Sequence, residues 1–329
     1  MAKFGTVFCN DFVSVEYTNG AWQQPVMRPL GPIPIHPAAH VLHYASTCFE
    51  GFKAYRWADG KARIYRLRDH VARMQKSAAS LRLPVPDPAI LEKMVIDLVA
   101  RHVSEIPEPP SSLYLRPTLI GTERNIGAAA APSTEALLFV IASPVGDYFS
   151  GGAATLKLLV DDQRARTTEQ LGSTKTGGNY AAALGPTLDA KAAYGVDQVL
   201  FCPHGDVQET GAANFLLLSD TEVITKPLDS SFLHGITRDS ILRLASDLGY
   251  RAVERNITVA ELLQLVATHE AVLSGTAATL SPVGCLVHNG KEIKVRDGNP
   301  GPNCAKLRAA LQAVQTGLAP DTHGWLTTV

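Results

Sequence analysis

At 329 residues and a net charge of −1, the chain is long enough for two hydrophobic cores and has no basic surplus to draw nucleic acid or an anionic membrane. Hydrophobic residues make up 46% and charged residues 19%, the balance of a folded chain rather than a disordered one. No apolar run approaches the roughly 18 residues that span a bilayer, and the first residues lack a basic stretch followed by an apolar one, so the expected location is the cytoplasm. The five cysteines, Cys9, Cys48, Cys202, Cys285 and Cys304, are widely spaced with no C-x-x-C pair, and are expected to be reduced structural thiols.

In chain order, Leu42–Arg56 reads as a turn entering a strand, bent at Gly51. Its aromatics Tyr44, Phe49, Phe52 and Tyr55 fit a core or strand face. A helix follows, capped by Asp69, with Val71, Met74, Ala78 and Leu81 at helical spacing and Pro84 and Pro86 beyond its end. Arg73 lies off that stripe and reads as solvated. A second helix opens at Asp87-Pro88 and buries Ile90, Leu91, Met94, Val95 and Leu98. Leu113–Gly121 alternates as a strand, with Tyr114, Arg116 and Thr118 on one face. Pro117 fits an edge strand or the end of pairing. An arginine beside a tyrosine on one strand face fits either a carboxylate site or a surface pair. Ala136–Ala142 is a further strand. Ser143–Ala154 is rich in Gly, Ser and Pro and reads as a linker, which gives a first domain over 1–142, a linker over 143–154 and a second domain over 155–329.

The second domain opens on a strand, Thr155–Asp161, and a loop that carries Lys175 in the run LGSTKTGGNY. Small neighbours and a glycine pair let backbone approach whatever the lysine is bonded to. The run fits a polar loop, or a lysine joined as a Schiff base to an aldehyde cofactor. A helix over Tyr180–Tyr194 is expected to kink at Gly185-Pro186. Gln198–Lys226 reads as a meander with Glu209 in its second strand, where a lone carboxylate is ordinarily solvated. His234–Gly249 is a loop entering a helix with an apolar stripe of Ile241, Leu244, Ala245 and Leu248, and the N–H groups of Ile236 and Thr237 at its start form an anion site. Ala271–Gly284 is two strands about a turn at Ser274–Ala278, whose N–H groups can hold a second anion. Asn289-Gly290 marks a hairpin, and a helix over Cys304–Thr316 precedes the tail HGWL.

Taken together, FEGFKAYR, YLRPTLIG, SPVGDYF, STKTGGNYAAAL, ETGAANFLLL, LHGITRDSIL, LSGTAATLSPVG and HGWL, in this order from Leu42 to Leu326, resemble the fold-type IV pyridoxal-phosphate enzymes, and within them the L-branched-chain-amino-acid aminotransferases. The resemblance implies an α/β (α+β) fold of two domains: a small N-terminal α/β domain and a larger C-terminal domain with a β-barrel-like core. It implies pyridoxal 5'-phosphate as cofactor and transfer of amino groups from L-leucine, L-isoleucine and L-valine to 2-oxoglutarate, giving glutamate. By the same resemblance Lys175 carries the cofactor as an internal aldimine, Glu209 faces the pyridine nitrogen and Tyr180 bonds the ring oxygen. Arg73, Ile236, Thr237 and Thr276 hold the phosphate. The Gly275–Ala277 turn borders the phosphate and takes the substrate α-carboxylate, with Thr276 and Ala277 on the substrate side. Tyr44, Phe49, Tyr114, Arg116 and Tyr148 form the side-chain pocket. A homodimer or higher homo-oligomer follows from the resemblance alone. A D-amino-acid aminotransferase or an aminodeoxychorismate lyase of the same fold is the alternative, and Tyr114-x-Arg116-Pro117 with GGNY favours the L-branched-chain type. Some relatives carry a C-x-x-C pair after SGT; here those places hold Ala278 and Ser281, so no thiol switch is expected there.

Overall fold

The computed structural model describes residues 4–127, 129–146, 154–277 and 279–329, so the readings placed on Tyr148 and Ala278 lie outside the described residues. The chain divides into two compact units. The first comprises Met1–Asp147, Thr174–Gly177 and Ala313–Val329, and the second Tyr148–Ser173 and Gly178–Gln312. Both the lysine segment and the C-terminal tail thus belong with the first unit, whereas the sequence reading runs the second domain unbroken over 155–329.

The first unit is one nine-stranded sheet with helices. Its elements are β1 (Asp11–Thr18), β2 (Ala21–Trp22), β3 (Val26–Pro29), α1 (His40–Tyr44), β4 (Thr47–Phe49), β5 (Phe52–Arg56), β6 (Ala62–Tyr65), α2 (Leu67–Ser80), α3 (Pro88–Arg101), β7 (Ser112–Gly121) and β8 (Ala136–Val145). The C-terminal strand Leu326–Thr328 pairs with β6, and the order continues β5, β7, β8, β1, β2. One apolar cluster joins Val71, Met74 and Ala78 of α2, Leu91, Met94, Val95 and Leu98 of α3, and Phe52, Ile64, Leu113, Leu115 and Leu138 of the sheet. The α3 start is as its sequence dictates: the Asp87 carboxylate accepts from the N–H groups of Ala89 and Ile90, and Pro88 fills the first position.

Two readings are corrected here and a third is narrowed. Asp69 is not the cap of α2. Arg66 holds that place in a left-handed conformation, and Asp69 sits in the first turn, where its carboxylate accepts from Arg66 Nε at 2.8 Å. Of the two places open to Pro117, the edge is excluded, because β7 is flanked by β8 along its whole length and by β5 and β4 on the other side, while the end of pairing is met, since pairing with β5 stops at Leu115 and pairing with β4 starts at Thr118. Its missing donor costs nothing: β5 pairs with Leu113–Leu115 and β4 with Thr118–Ile120, so Pro117 faces the Glu50–Gly51 bend between them, and its carbonyl accepts from Glu50 N–H at 2.9 Å. Ser143–Val145, read as linker, continue strand β8.

The second unit holds β9 (Leu156–Asp161), α4 (Gly177–Tyr194) from its second residue on, β10 (Gln198–Phe201), β11 (Glu209–Thr210), β12 (Asn214–Leu218), β13 (Glu222–Thr225), α5 (Ile236–Asp247), β14 (Arg251–Glu254), α6 (Val259–Leu265), β15 (Glu270–Gly275), β16 (Thr279–His288), β17 (Lys291–Lys294) and α7 (Pro302–Thr316) up to Gln312. Six strands close on themselves, β11-β10-β9-β16-β15-β12 and back to β11, which is the β-barrel core that the sequence resemblance implies. Alternate residues fill both faces. Leu158, Val160, Leu200, Leu217 and Leu273 pack in one cluster, while Leu159, Val199, Phe201 and Val287 meet Ala183 and Ala190 of α4. Strand β9 pairs in parallel with both β10 and β16. The α4 helix starts at Gly177 and runs through Pro186, three residues earlier than its sequence pattern indicates.

Candidate active site

In the first unit the backbone of Lys175 is pinned on both sides. Its N–H donates to Ser77 Oγ of α2 at 3.0 Å, and its carbonyl accepts from Phe49 N–H at 3.0 Å. Thr176 Oγ1 adds a 2.7 Å bond to the Thr47 carbonyl. The lysine is therefore half-buried at the end of β4, with Nζ 4.8 Å from the centre of the Phe49 ring. The Arg116 guanidinium lies over the same ring at 4.7 Å, and its Nη2 donates to Tyr114 Oη at 2.8 Å. Among the described residues Arg116 Nε is buried with no hydrogen-bond partner, so this fork retains a donor for a carboxylate. Gly51 makes the arrangement possible: a Cβ there would fall 1.9 Å from Tyr114 Oη. Tyr44 is used differently, its hydroxyl donating to the Ile126 carbonyl and its ring packing on His40.

Arg73 is not a solvated helix residue. Its Nε and Nη2 fork onto Glu50 at 2.7 and 2.8 Å, and His70, one turn earlier on α2, donates to the same carboxylate at 2.7 Å. Glu50 is 1% exposed. Burial pushes its carboxyl up, but the charges and hydrogen bonds of Arg73 and His70 outweigh burial and hold it well below the usual carboxylate range. Burial lowers His70 below the ordinary imidazole value against the pull of Glu50, with the charges of Arg73 and Lys175 adding to the lowering. Glu50→Gln is expected to destabilise the fold by about 3–5 kcal/mol, since it strands a buried guanidinium. Equilibrium denaturation checks this, and a loss below about 1 kcal/mol would contradict it. The pH signs follow. A lowered histidine binds fewer protons folded than unfolded, so the His70 contribution fades as pH falls below about 6.5. The Glu50 contribution persists there and is lost only at far lower pH, below the ordinary value of about 4.3.

In the second unit Glu209 opens β11 at 3% exposure. Arg166 Nε lies 2.8 Å from its Oε1, and Leu233 N–H and Asn214 Nδ2 donate to it at 2.9 and 3.0 Å. A buried carboxylate with one cation and two further donors against it is the opposite of the solvated hairpin residue. Asn214 also donates to the Leu233 carbonyl at 2.8 Å. Gly235 is required beside it, because a Cβ would fall 1.9 Å from Asn214 Oδ1. Gly235 is also the N-cap of α5 and has no side chain to cap the helix, so Ile236 and Thr237 begin α5 at the positive end of its dipole. Gly275 ends β15, with Thr276 and Ala277 in the turn to β16. Just before it, Ser274 Oγ is buried with no hydrogen-bond partner among the described residues. Tyr180 is half-buried in the first turn of α4. Its neighbour Asn179 ties down the preceding loop, donating to the Leu171 carbonyl at 2.7 Å and accepting from Thr167 Oγ1 at 2.6 Å.

Sequence reasoning missed Glu50, His70, Ser77, Arg166, Asn179 and Asn214. The spacing of His70 and Arg73 on one helix face was an available signal for a shared partner, and Asn179 sits inside GGNY. Arg166 and Asn214 carry no local signal. All five cysteines are unpaired. Burial pushes the Cys48 and Cys304 thiols up to about 12, so neither is a reactive thiolate.

A family model described as "Amino-transferase class IV" matches residues 47–284. The branched-chain-amino-acid aminotransferase of Mycobacterium tuberculosis is 37% identical over 338 residues, covering 98% of this chain and 91% of that protein. The cytosolic enzyme of Mus musculus with the same description is 38% identical over 330 residues, covering 95% and 85%. Among solved structures, a branched-chain amino acid aminotransferase from the thermophilic archaea Thermoproteus uzoniensis, solved with norvaline, superposes with a TM-score of 0.76 at 26% identity, covering 95% of this chain and 98% of that one. The Escherichia coli branched-chain enzyme gives 0.74 at 27% identity over 96% and 98%. With a pinned lysine, a buried carboxylate clamped by cation and amide, and full-length likeness of this degree, the chain belongs to the class IV aminotransferases and, within them, to the branched-chain-amino-acid aminotransferases.

Proposed function

We propose that this chain is a pyridoxal-5'-phosphate-dependent transaminase that moves the amino group of L-leucine, L-isoleucine or L-valine to 2-oxoglutarate, giving branched-chain 2-oxo acids and L-glutamate. The observation that carries the reading is the cluster of Lys175, Phe49, Tyr114 and Arg116, in which an amine and a guanidinium both lie against one aromatic ring and the guanidinium keeps a buried donor unused among the described residues. Apolar ring surface accepts a branched aliphatic side chain, and the guanidinium accepts the side-chain carboxylate of glutamate. The donor set fits a phosphorylated pyridine aldehyde: a half-buried primary amine, a buried clamped carboxylate, an uncapped helix start and an orphaned hydroxyl at Ser274.

In this reading pyridoxal phosphate, when bound, supplies an electron sink and carries the amino group between the two half-reactions. Lys175 would be its covalent attachment point, and the free Nζ would serve as general base for the α-proton of the substrate. Glu209, held by Arg166, Asn214 and Leu233, would face the pyridine nitrogen and favour its protonated form. Tyr180 would hydrogen-bond the ring oxygen. The first turn of α5 at Ile236 and Thr237, the Gly275-Thr276 turn, and Arg73 held by Glu50 neutralise the phosphate. Thr276 and Ala277 receive the α-carboxylate. By the sequence resemblance Tyr148 would complete the side-chain pocket with the ring of Tyr44, whose hydroxyl is taken up by the Ile126 carbonyl. The working form is a homodimer or higher homo-oligomer in the cytoplasm. Among the described residues no helix is long and apolar enough to cross a membrane. The test is a panel of L- and D-amino donors with 2-oxoglutarate. L-leucine, L-isoleucine and L-valine are expected to lead it, and turnover of D-alanine without L-leucine would overturn the assignment in favour of the D-amino-acid alternative.

A further inference from the structure

Away from these residues, the first unit holds a second cluster of chemically distinctive side chains. Cys9 lies just before β1, His102 caps the C-terminal end of α3, and Glu105 closes the 3-10 turn Val103–Glu105. One donor atom from each lies within 4.8 Å of the other two. Cys9 and His102 are 1% and 2% exposed, while the Glu105 side chain is 43% exposed and leaves a way in from solvent. The framework is rigid: Cys9 N–H donates to the Ala142 carbonyl at 2.9 Å, which fixes it against β8, and His102 N–H donates to the Val99 carbonyl.

The hydrogen bonding is incomplete. His102 Nδ1 pairs with Glu105 Oε1 at 2.7 Å, and Glu105 also meets the Cys9 thiol, but among the described residues Nε2 is buried with no hydrogen-bond partner, and Asp11 Oδ2 stands off at 3.6 Å. A neutral ring that donates from Nδ1 turns a lone pair at Nε2 towards that carboxylate, which is repulsive. Two acids also stand at the negative end of α3, where the helix dipole disfavours them. Arg101 offsets one, its Nε 3.1 Å from Asp11, and is itself mostly exposed.

We propose that Cys9, His102 and Glu105 form a structural binding site for a thiophilic divalent cation of the zinc class, with Asp11 as the outer partner of His102. A thiolate, an imidazole and a carboxylate are a zinc donor set, and the sulfur excludes calcium and magnesium. Burial, with the neighbouring Glu105 and Asp11, pushes the Cys9 thiol up to about 12, so its proton leaves to solvent only as the metal binds, and the metal takes the Nδ1 position. The ring proton then sits on Nε2, where Asp11 can accept it, so the orphaned nitrogen gains a partner. A water completes the fourth position. Tetrahedral bonds of roughly 2.0–2.3 Å place ligands roughly 3.4–3.8 Å apart, so closure needs side-chain movement on the order of 1 Å and opening of the His102–Glu105 bond. The metal would staple the segment before β1 to the end of α3.

The test loads the holoenzyme with zinc, counts metal per chain and reads its neighbours by X-ray absorption. One zinc per chain is expected, with one sulfur at about 2.3 Å and nitrogen or oxygen at about 2.0–2.1 Å. Cys9→Ser is expected to abolish the sulfur neighbour, and Asp11→Asn to weaken binding about 10- to 100-fold. Zinc bound without sulfur, sulfur retained in Cys9→Ser, or no stoichiometric zinc at all would overturn the proposal. Should Cys9→Ser fail to fold, Glu105→Gln decides, because that side chain is exposed; undiminished zinc affinity there also overturns it.

Discussion

Lys175→Ala is expected to abolish transamination and the visible absorption of the lysine-bound coenzyme together. The residue is held by backbone bonds to Ser77 and Phe49, so the alanine variant keeps those bonds and loses only the side chain. Loss of its proton-transfer role alone costs about a hundred- to ten-thousand-fold, and loss of the covalent attachment adds to that. Stability should change little, since the amine is only half-buried. Wild-type-like turnover with a retained visible band would mean that another lysine carries the coenzyme.

Arg116→Ala is expected to separate the two substrates. Glutamate and 2-oxoglutarate bring a side-chain carboxylate to the guanidinium, and leucine brings only methyl groups. Removing a charge-assisted hydrogen bond costs about 1.5–3 kcal/mol, so kcat/KM for glutamate should fall about 10- to 150-fold in the half-reaction while that for leucine stays nearly unchanged. Because Arg116 also covers the Phe49 ring, truncation alters packing. Arg116→Lys controls for this: it keeps a cation and loses the fork, and should recover part of the glutamate rate. Equal losses for leucine and glutamate in both variants would assign Arg116 to the architecture of β7.

The parts of this arrangement that sequence could show are those written in local patterns. Asp87-Pro88 announces the start of α3, and Lys175 between small residues announces a special lysine. The two-domain barrel-containing fold followed from resemblance, not periodicity. Barrel closure itself was not readable, because it rests on the short β11–β12 contact and the parallel β9–β16 pairing. Asp69 looked like a cap because nothing in the sequence reveals that Arg66 adopts a left-handed conformation. Pro117 looked like an edge or an end of pairing because its tolerance depends on a break between β4 and β5 far along the chain. The same distance hid the partners of the candidate residues. Arg73 and Glu50 are 23 residues apart, and Arg166 meets Glu209 only once the strands are in register. Glu209 and Arg73 both read as solvated by local pattern, and both are clamped by partners from distant segments.

The most direct measurement is covalent trapping: the holoenzyme is reduced with borohydride, digested and mapped by mass spectrometry. A single phosphopyridoxyl group on Lys175 is the predicted result, since this is the lysine whose backbone is fixed and whose amine lies against the Phe49 ring. A label on any other lysine, or none on a protein that still binds the coenzyme, would contradict the assignment.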